Sequence, residues 1–100
     1  MSHRLIVDAG AEDDIDVAYR WYEERASGLG VRFLDELESC FQRVSLNPTS
    51  YPEVEAGIRR ALPHVFPYLV FDTLHGQVVH ILAVVHAAQD PAYIAGRLRA

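Results

Sequence analysis

Hydrophobic and polar residues follow two different periods along the chain, and the period changes near the middle. In residues 9–46 apolar positions recur every three or four residues with charged residues between them, which predicts amphipathic helices. The first helix starts at an acidic segment within residues 9–14, where exposed N–H groups favour carboxylates, and runs to about Ala26. The second spans about Leu29–Leu46 and stops at an Asn-Pro pair. A short glycine-containing connection makes the two helices antiparallel.

The second half of the chain has the residue types of strands. Its runs of β-branched and aromatic residues are too short for buried helices. Residues 68–73 and 78–85 flank His75-Gly76, and a glycine in a two-residue connection allows positive φ, so the two runs predict a hairpin. Residues 57–62 predict a separate strand, because the prolines that follow cannot donate to a strand ladder. An Asp-Pro pair closes the segment.

Alternation along the last predicted strand assigns its side chains to two faces. One face carries Val79, Ile81, Ala83 and Val85, and the other carries Val78, His80, Leu82, Val84 and His86. Both sets are largely apolar, so we expect this strand to lie in the centre of the sheet. One face would lie under the helices, and the face with the two histidines would be covered by a loop or a partner.

These elements predict one α+β domain over residues 1–100. Residues 3–8 form a short strand at a sheet edge or beside the last strand, and residues 49–56 form a loop that leads into the sheet. The predicted order is β-α-α-β-β-β, with an antiparallel helical hairpin on one face of a mainly antiparallel four-stranded sheet. A chain of 100 residues, half of them hydrophobic, holds such a core unaided.

Composition indicates a cytoplasmic protein without a bound metal. The single cysteine, Cys40, permits no internal disulfide, and the acidic N-terminal segment does not resemble a secretory signal. No apolar run approaches the ~18 residues that a membrane span needs. His3, His64, His75 and His80 show no metal-like spacing with an acid or thiol partner, so we expect neither a metal nor another cofactor.

The charge of the chain is negative and unevenly distributed. The net charge is −5, and most of the carboxylates lie in residues 1–50. A pI near 5.4 counts against broad, phosphate-driven binding of nucleic acid, which relies on clustered basic residues. A small basic site is compatible with this balance, but we expect no sequence-specific DNA binding by this chain alone.

A set of short motifs follows in a fixed order from the first helix to the end of the last strand. They are Ala18-x-x-x-Tyr22, Gly28-Leu29-Gly30-x-x-Phe33-Leu34, Asn47-Pro48 with Tyr51-Pro52, Arg59-Arg60, Phe66-Pro67-Tyr68, and Val84-x-His86 with Asp90-Pro91. In this order they resemble the ParE/RelE superfamily of toxins from bacterial type II toxin–antitoxin operons, also known as plasmid stabilisation systems. No single motif is diagnostic, but the ordered set covers nearly the whole chain.

The resemblance implies one of two activities. A ParE-like toxin is not an enzyme: it binds DNA gyrase and turns it into a source of DNA breaks, which arrests growth. A RelE-like toxin is a metal-independent endoribonuclease that cuts messenger RNA in the ribosome. That chemistry needs basic side chains on the scissile phosphate and a proton-transfer group beside them. A third hypothesis is a toxin relic that binds its antitoxin and harms nothing.

For the nuclease activity, the resemblance implies that Arg59 or Arg60 holds the phosphate. Alternation places the two arginines on opposite faces, so only one can lie in a site. Ile58 and Leu62 are taken to mark the covered face, which favours Arg59. The competing interpretation, which we favour, is that both arginines pair with carboxylates of the chain itself.

The same resemblance assigns proton transfer to His86 or Tyr93. A histidine at the end of a central strand is more often a core-edge residue that donates to a backbone carbonyl, and we favour that role for His86. Many nuclease members carry an arginine where this chain has Leu69, and many family members carry one where it has Gln89. Because losing a cation from a transition-state clamp costs a few kcal/mol, the ParE-like activity is the leading hypothesis.

The partner implied by the resemblance is a ParD-like antitoxin whose C-terminal segment wraps the helical hairpin and the sheet edge. Tyr19, Tyr22, Phe33 and Leu37 are the expected contacts, although the three aromatic residues are most simply explained as core of the hairpin, whose outer edge could also receive a partner. An acidic hairpin with apolar grooves suits a tail that carries Arg or Lys beside aliphatic anchors. Gyrase is the expected target, and the ribosome with its mRNA replaces it in the nuclease alternative. We expect no membrane partner.

Overall fold

A strand, two helices, four strands and a third helix follow one another along residues 2–99, which the computed structural model describes. The strands are β1 (Arg4–Val7), β2 (Glu53–Glu55), β3 (Ile58–Ala61), β4 (Tyr68–His75) and β5 (Val78–His86). The helices are α1 (Ala9–Arg25), α2 (Leu29–Leu46) and α3 (Pro91–Arg99), and a short 3-10 helix, Pro48–Ser50, follows α2.

The five strands form one mixed sheet in the order β1-β5-β4-β3-β2. β1 runs parallel to β5 at one edge, and all other neighbours are antiparallel. This arrangement confirms the α+β class, the mainly antiparallel sheet and the place of the first strand beside the last. The β4–β5 hairpin turns at Gly76 and Gln77, where Gly76 has a φ of 61° that glycine adopts without a Cβ clash.

Two elements lie outside the predicted order, so the prediction of four strands was one strand short. β2 falls in the predicted loop and pairs with β3 at only two positions, which is too short for alternation to reveal. α3 begins at Pro91, where the sequence predicted a stop. Proline suits a first helical turn because its missing N–H is not needed there, and the Asp90 carboxylate accepts the Ala92 N–H at 2.8 Å.

The hairpin of α1 and α2 covers one face of the sheet and buries the larger core, which we name the main cluster. Its buried residues are Ala11, Ala18, Tyr22, Phe33, Leu37, Cys40, Val44, Ala61, Phe66, Val70, Val79, Ile81 and Val84. The Tyr22 ring stacks on Phe33 with centroids 5.3 Å apart and meets the edge of Phe66 at 5.0 Å. These aromatic contacts join both helices to the sheet and confirm the predicted packing of the hairpin on one face.

The two helices approach most closely at Gly30. The Glu23 carboxylate accepts the Gly30 N–H at 2.9 Å, which satisfies a donor at the start of α2. A Cβ at this position would lie 2.6 Å from Glu23 Cγ and 2.7 Å from the Tyr19 carbonyl oxygen. The hairpin therefore closes only with glycine at this position.

A β-bulge at Leu82 reverses the alternation along β5. Phe71 pairs with Ala83 and Asp72 pairs with Ile81, which leaves Leu82 as an extra residue. Ile81 and Val84 therefore both face the helical hairpin, whereas Ala83 faces away from it. The prediction of one face for residues 79, 81, 83 and 85 was wrong beyond the bulge, because simple alternation assumes a strand without an extra residue.

The opposite face of the sheet carries a much smaller core under α3. Three residues are buried there, Phe71, Ala83 and Val85, with Ile58, Leu69, Ile94 and Leu98 packed against them. We name this group the second cluster. No residue of α3 is itself buried. This face is covered by α3, an element of the chain that the sequence did not predict.

Among residues 2–99, the carboxylate of Asp72 is buried inside the domain. Its side chain has 0 % exposure, and neither carboxylate oxygen has a hydrogen-bond partner within residues 2–99. Burial raises the pKa of Asp72 to about 6, although the charge of Arg59, its cross-strand neighbour, acts in the opposite direction. At neutral pH the buried Asp72 carboxylate therefore lowers the free energy of unfolding.

The described part of the chain gives two further results. No helix within residues 2–99 is long and apolar enough to cross a lipid bilayer. Over the same residues, His, Cys, Asp and Glu side chains form no group of three placed to hold a metal ion. Cys40 is a free thiol in the main cluster, and burial raises its pKa to about 11.

Candidate functional site

The candidate site is a cleft of about 440 Å³ at the end of β5. It forms because β1 has four residues and β5 has nine, so the second half of β5 has no strand neighbour on that side. Side chains from α1, α3 and the start of β4 surround this open edge. The lining residues are Asp13, Asp14, Val17, Ala18, Trp21, Tyr22, Tyr68, Val84, Val85, His86, Gln89, Tyr93 and Arg97.

Asp14 ties the three sides of the cleft together. Its Oδ2 atom accepts the backbone N–H of Val84 at 2.9 Å, a donor that would otherwise point from the open edge of β5 without a partner. The same carboxylate receives two hydrogen bonds from the Arg97 guanidinium, at 2.7 and 2.8 Å. This ion pair is largely shielded from solvent and raises the pKa of Arg97. One side chain of α1 therefore holds both β5 and α3.

Aromatic rings form one wall of the cleft. Trp21 meets the edge of Tyr22 with centroids 5.1 Å apart, and Tyr68 meets the His86 ring at 5.2 Å. Burial raises the pKa of Tyr68 to about 12, and the neighbouring Tyr22 acts in the same direction. Tyr68 therefore stays protonated at physiological pH and supplies an apolar surface rather than an acid or a base.

His86 lies in the cleft, but its hydrogen bond differs from the predicted one. Its Nδ1 atom accepts the backbone N–H of Ala88 at 3.0 Å. The prediction that His86 donates to a carbonyl was wrong, because the chain turns directly after β5 and presents a donor instead. The Nδ1 atom of His86 therefore carries no proton while it accepts this hydrogen bond.

Tyr93 also lines the cleft and is 46 % exposed. Its hydroxyl oxygen lies 3.3 Å from the Arg97 guanidinium, which donates to it. His86 and Tyr93, the two predicted proton-transfer groups, are thus brought to one site. Gln89 lines the same cleft, and Leu69 packs against the second cluster. At these two positions many family members carry an arginine, so this chain lacks both of those cations.

Arg59 and Arg60 lie outside the cleft. Arg59 donates to the carbonyl oxygens of Tyr51 and Thr49, at 2.6 and 3.3 Å, and its guanidinium is 3.5 Å from the Glu53 carboxylate. It therefore holds the segment after α2 in place. The interpretation that both arginines pair with carboxylates of the chain agrees with the contacts of Arg59, whereas the Arg60 side chain has no ion pair or hydrogen bond among residues 2–99.

The prediction that Ile58 and Leu62 mark the covered face was wrong. Ile58 packs against the second cluster, Leu62 is 54 % exposed, and Ala61 is the residue of β3 that lies in the main cluster. Arg59, opposite Asp72, thus lies on the face towards the helical hairpin, and Arg60, opposite Phe71, lies on the face towards α3. The two arginines are on opposite faces, as predicted, but their assignment to the faces is reversed.

These positions decide what the cleft can do chemically. Of its lining residues only Arg97 is a permanent cation, and that cation is neutralised by Asp14. Phosphate transfer chemistry requires free cations that converge on the developing negative charge. The four predicted catalytic residues, Arg59, Arg60, His86 and Tyr93, do not form one site.

A second, more open concavity lies on the other side of α1, and we name it the hairpin groove. It has a volume of about 350 Å³ and is lined by Val7, Glu12, Ile15, Asp16, Tyr19 and Leu34. It reaches the outer edge of β1, the last strand of the sheet on that side. An apolar floor flanked by carboxylates and ending at a free strand edge suits an extended peptide with basic residues.

Only one of the four predicted partner-contact residues lies on this surface. Tyr19 is partly exposed and lines the hairpin groove, whereas Tyr22, Phe33 and Leu37 are 8, 1 and 2 % exposed. All three belong to the main cluster, and Tyr22 also lines the cleft at the end of β5. Helical periodicity identifies an apolar face without saying whether the sheet or a partner covers it, so the contact of these residues with an antitoxin stays a prediction.

Sequence reasoning missed three residues of the cleft: Asp14, Trp21 and Arg97. Asp14 and Arg97 are 83 positions apart, so no local pattern joins them. Trp21 was the available signal, because it lies off the apolar stripe of α1 and is 48 % exposed. A large apolar residue on the polar side of a helix indicates a surface site.

Comparisons with known proteins agree with this arrangement. A family model described as "ParE toxin of type II toxin-antitoxin system, parDE" matches residues 5–91. No curated protein matches the chain at a significant level. Among solved structures, the chain is similar to one described as "Chromosomal ParDE TA system from P. aeruginosa", with a TM-score of 0.75 and 15 % sequence identity. The match covers 85 % of this chain and 96 % of the other, and at this identity it supports the fold alone.

Proposed function

Because the chain belongs to the ParE toxin family of type II toxin–antitoxin systems, we propose that it inhibits DNA gyrase by binding and that a ParD-like antitoxin neutralises it. The proposal that the chain is not a nuclease rests on the ion pair between Arg97 and Asp14. The one permanent cation of the cleft is engaged by Asp14 through two hydrogen bonds. A toxin of this kind acts through its surface rather than by cutting a phosphodiester bond.

Gyrase assays with the purified chain test the target directly. We expect inhibition of DNA supercoiling and accumulation of gyrase-cleaved DNA, and we expect induced expression to arrest growth with DNA-damage signalling. Addition of the antitoxin should restore supercoiling. Growth arrest without any effect on purified gyrase would refute gyrase as the target.

A RelE-like endoribonuclease is the second candidate, and one observation favours it: His86 and Tyr93 line the same cleft as Arg97. Mapping of messenger RNA ends after induction separates the two activities. Cleavage within codons of translated messages would establish the nuclease and overturn the gyrase proposal. Unhindered growth combined with tight antitoxin binding would identify an inactive relic.

The hairpin groove is the proposed binding surface for the antitoxin tail. It is apolar, acidic at its rim and continuous with the open edge of β1, to which an extended segment can add as a further strand. In a toxin–antitoxin operon the two genes are neighbours, so we expect the adjacent gene to encode a small protein that is the partner to test. Leu34→Asp places a charge on the floor of the groove and should weaken its binding at least ~10-fold, since one desolvated charge costs well over 1.4 kcal/mol.

Val31→Asp provides the matched control for that experiment. Val31 lies on the same helix and is 50 % exposed, compared with 36 % for Leu34, but it does not line the groove. We expect Val31→Asp to bind the antitoxin like the unmodified chain. Equal loss of binding by both variants would place the antitoxin elsewhere on α2.

A further inference from the structure

We propose that the cleft at the end of β5 binds an arginine side chain of the antitoxin tail, an assignment that rests on the proposed function. The hairpin groove and the cleft lie on opposite sides of α1. A helix is about 10 Å wide, so three or four extended residues carry a tail from the groove across α1 to the cleft. Val17, which is 62 % exposed and lines the cleft, provides an apolar contact on this path.

The charge of the cleft favours a cation. Its carboxylate and guanidinium side chains are those of Asp13, Asp14 and Arg97, and Asp14 and Arg97 form an ion pair with each other. Asp13 has no ion-pair or hydrogen-bond partner for its side chain among the described residues, so its negative charge remains uncompensated. Within the lining itself, an anionic ligand such as a phosphate would meet this charge and only the engaged Arg97, because Arg25, which lies on the Trp21 ring, does not line the cleft.

The aromatic residues of the cleft favour a guanidinium over an ammonium group. Trp21 and Tyr93 are 48 % and 46 % exposed, which is unusual for two large rings beside one concavity. A guanidinium is planar and stacks on aromatic faces while its edge donates to a carboxylate. The chain itself provides an example, because the Arg25 guanidinium carbon lies 3.6 Å from the centroid of the Trp21 ring, although Arg25 does not line the cleft.

The test uses the purified full chain and two small probes, N-acetyl-arginine amide and its neutral isostere N-acetyl-citrulline amide. Trp21 is the only tryptophan, so its fluorescence and its indole N–H signal in NMR report on one site. We expect saturable binding of the arginine probe in low salt and at least about fivefold weaker binding of the citrulline probe. The backbone amides of Val85 and His86, at the floor of the cleft, should shift together with the indole.

Asp13→Asn should weaken binding of the arginine probe by about fivefold, because it removes the uncompensated charge. Asp35→Asn is the matched control, since Asp35 is an exposed residue of α2 that lines neither concavity. Equal affinity for the two probes would overturn the proposal. So would equal effects of the two substitutions, or shifts confined to the indole and Arg25.

A charge-reversal experiment tests whether the antitoxin supplies the arginine. Asp13→Arg should weaken antitoxin binding at least ~10-fold, and replacing one arginine of the antitoxin tail by glutamate should restore it. Undiminished binding after Asp13→Arg would overturn the cleft assignment and leave the proposed function intact. Failure of the unmodified chain to bind the antitoxin would instead refute both the proposed partner and the occupant, whatever the probes do.

Discussion

The two faces of the sheet are built very differently. The face under α1 and α2 holds the main cluster, in which Phe33 and Leu37 are 1 % and 2 % exposed. The face under α3 holds three buried residues, all of them from the sheet. Burial of apolar surface is the dominant favourable contribution to folding, so stability resides mainly on the hairpin face. The proposed binding surfaces lie at the rims of the hairpin, where substitutions can remove binding without removing the core.

The largest expected effect separates the two faces directly. Leu37→Ala removes a side chain from the main cluster, and we expect the free energy of unfolding to fall by about 2–5 kcal/mol, because the close-packed core cannot fill the cavity. Urea denaturation monitored by circular dichroism measures this change. A loss below about 1 kcal/mol would mean that the hairpin face does not dominate stability.

The next effect concerns the buried Asp72. Its pKa is raised from 3.8 to about 6 in the folded state, so the folded chain binds this proton more tightly than the unfolded chain does. Protonated Asp72 therefore adds on the order of 2–3 kcal/mol to the free energy of unfolding below about pH 4, relative to the ionised form. This contribution is lost as the pH rises through 6. We expect Asp72→Asn to be more stable than the unmodified chain at pH 8 and to lose this advantage towards pH 4.

Asp35→Asn is the control for the pH experiment, because Asp35 is exposed and the substitution removes the same charge. Denaturant unfolding at several pH values between 4 and 8 provides the comparison. Parallel curves for Asp72→Asn and the unmodified chain would show that Asp72 keeps its ordinary pKa in the folded state.

A smaller effect is expected where the two faces meet, at Asp14. Asp14→Ala breaks the shielded pair with Arg97 and leaves the Val84 N–H without its acceptor, which should cost about 2 kcal/mol. Asp16→Ala removes only an exposed pair with Arg20 on the same helix and should cost about 0.5 kcal/mol or less. Equal losses would show that Asp14 does not join α1 to β5 and α3.

A smaller loss of stability than that of Asp14→Ala is expected on the face under α3. Leu98→Ala makes the same chemical change as Leu37→Ala, but Leu98 is only partly buried on α3. We expect a loss of about 1 kcal/mol or less, since solvent already reaches the site and little cavity is created. A loss as large as that of Leu37→Ala would make α3 an integral part of the core.

Much of the fold was accessible to sequence reasoning because it depends on local periodicity. The ends of α2 coincide with the prediction, since Gly28 and the Asn47-Pro48 pair are local signals. β2 was missed because three residues carry no readable alternation, and α3 was missed because Pro91 reads equally as a stop and as a first helical residue. The bulge at Leu82 leaves no trace in the residue types of β5, so face assignments beyond it failed.

The candidate site was less accessible, because tertiary pairing creates it. His86 and Tyr93 were identified as site residues and share the cleft, but their neighbour Arg97 acquires its role only through Asp14. Arg59 was assigned to the wrong face because Leu62, taken as a core residue, is exposed. Residue type indicates which chemistry is available, whereas the fold determines which charges are already satisfied.

The parallel pairing of β1 with β5 has a consequence for the order of synthesis. Arg4 pairs with Val78, so β1, the first strand of this sheet to be synthesised, acquires a neighbour only after β5, the last strand, has been synthesised. Contacts between such distant segments form slowly, because a long loop must close before they contribute. Until Val78–Ile81 have been synthesised, the backbone N–H and C=O groups of β1 have no partner strand in the sheet and must be hydrated instead.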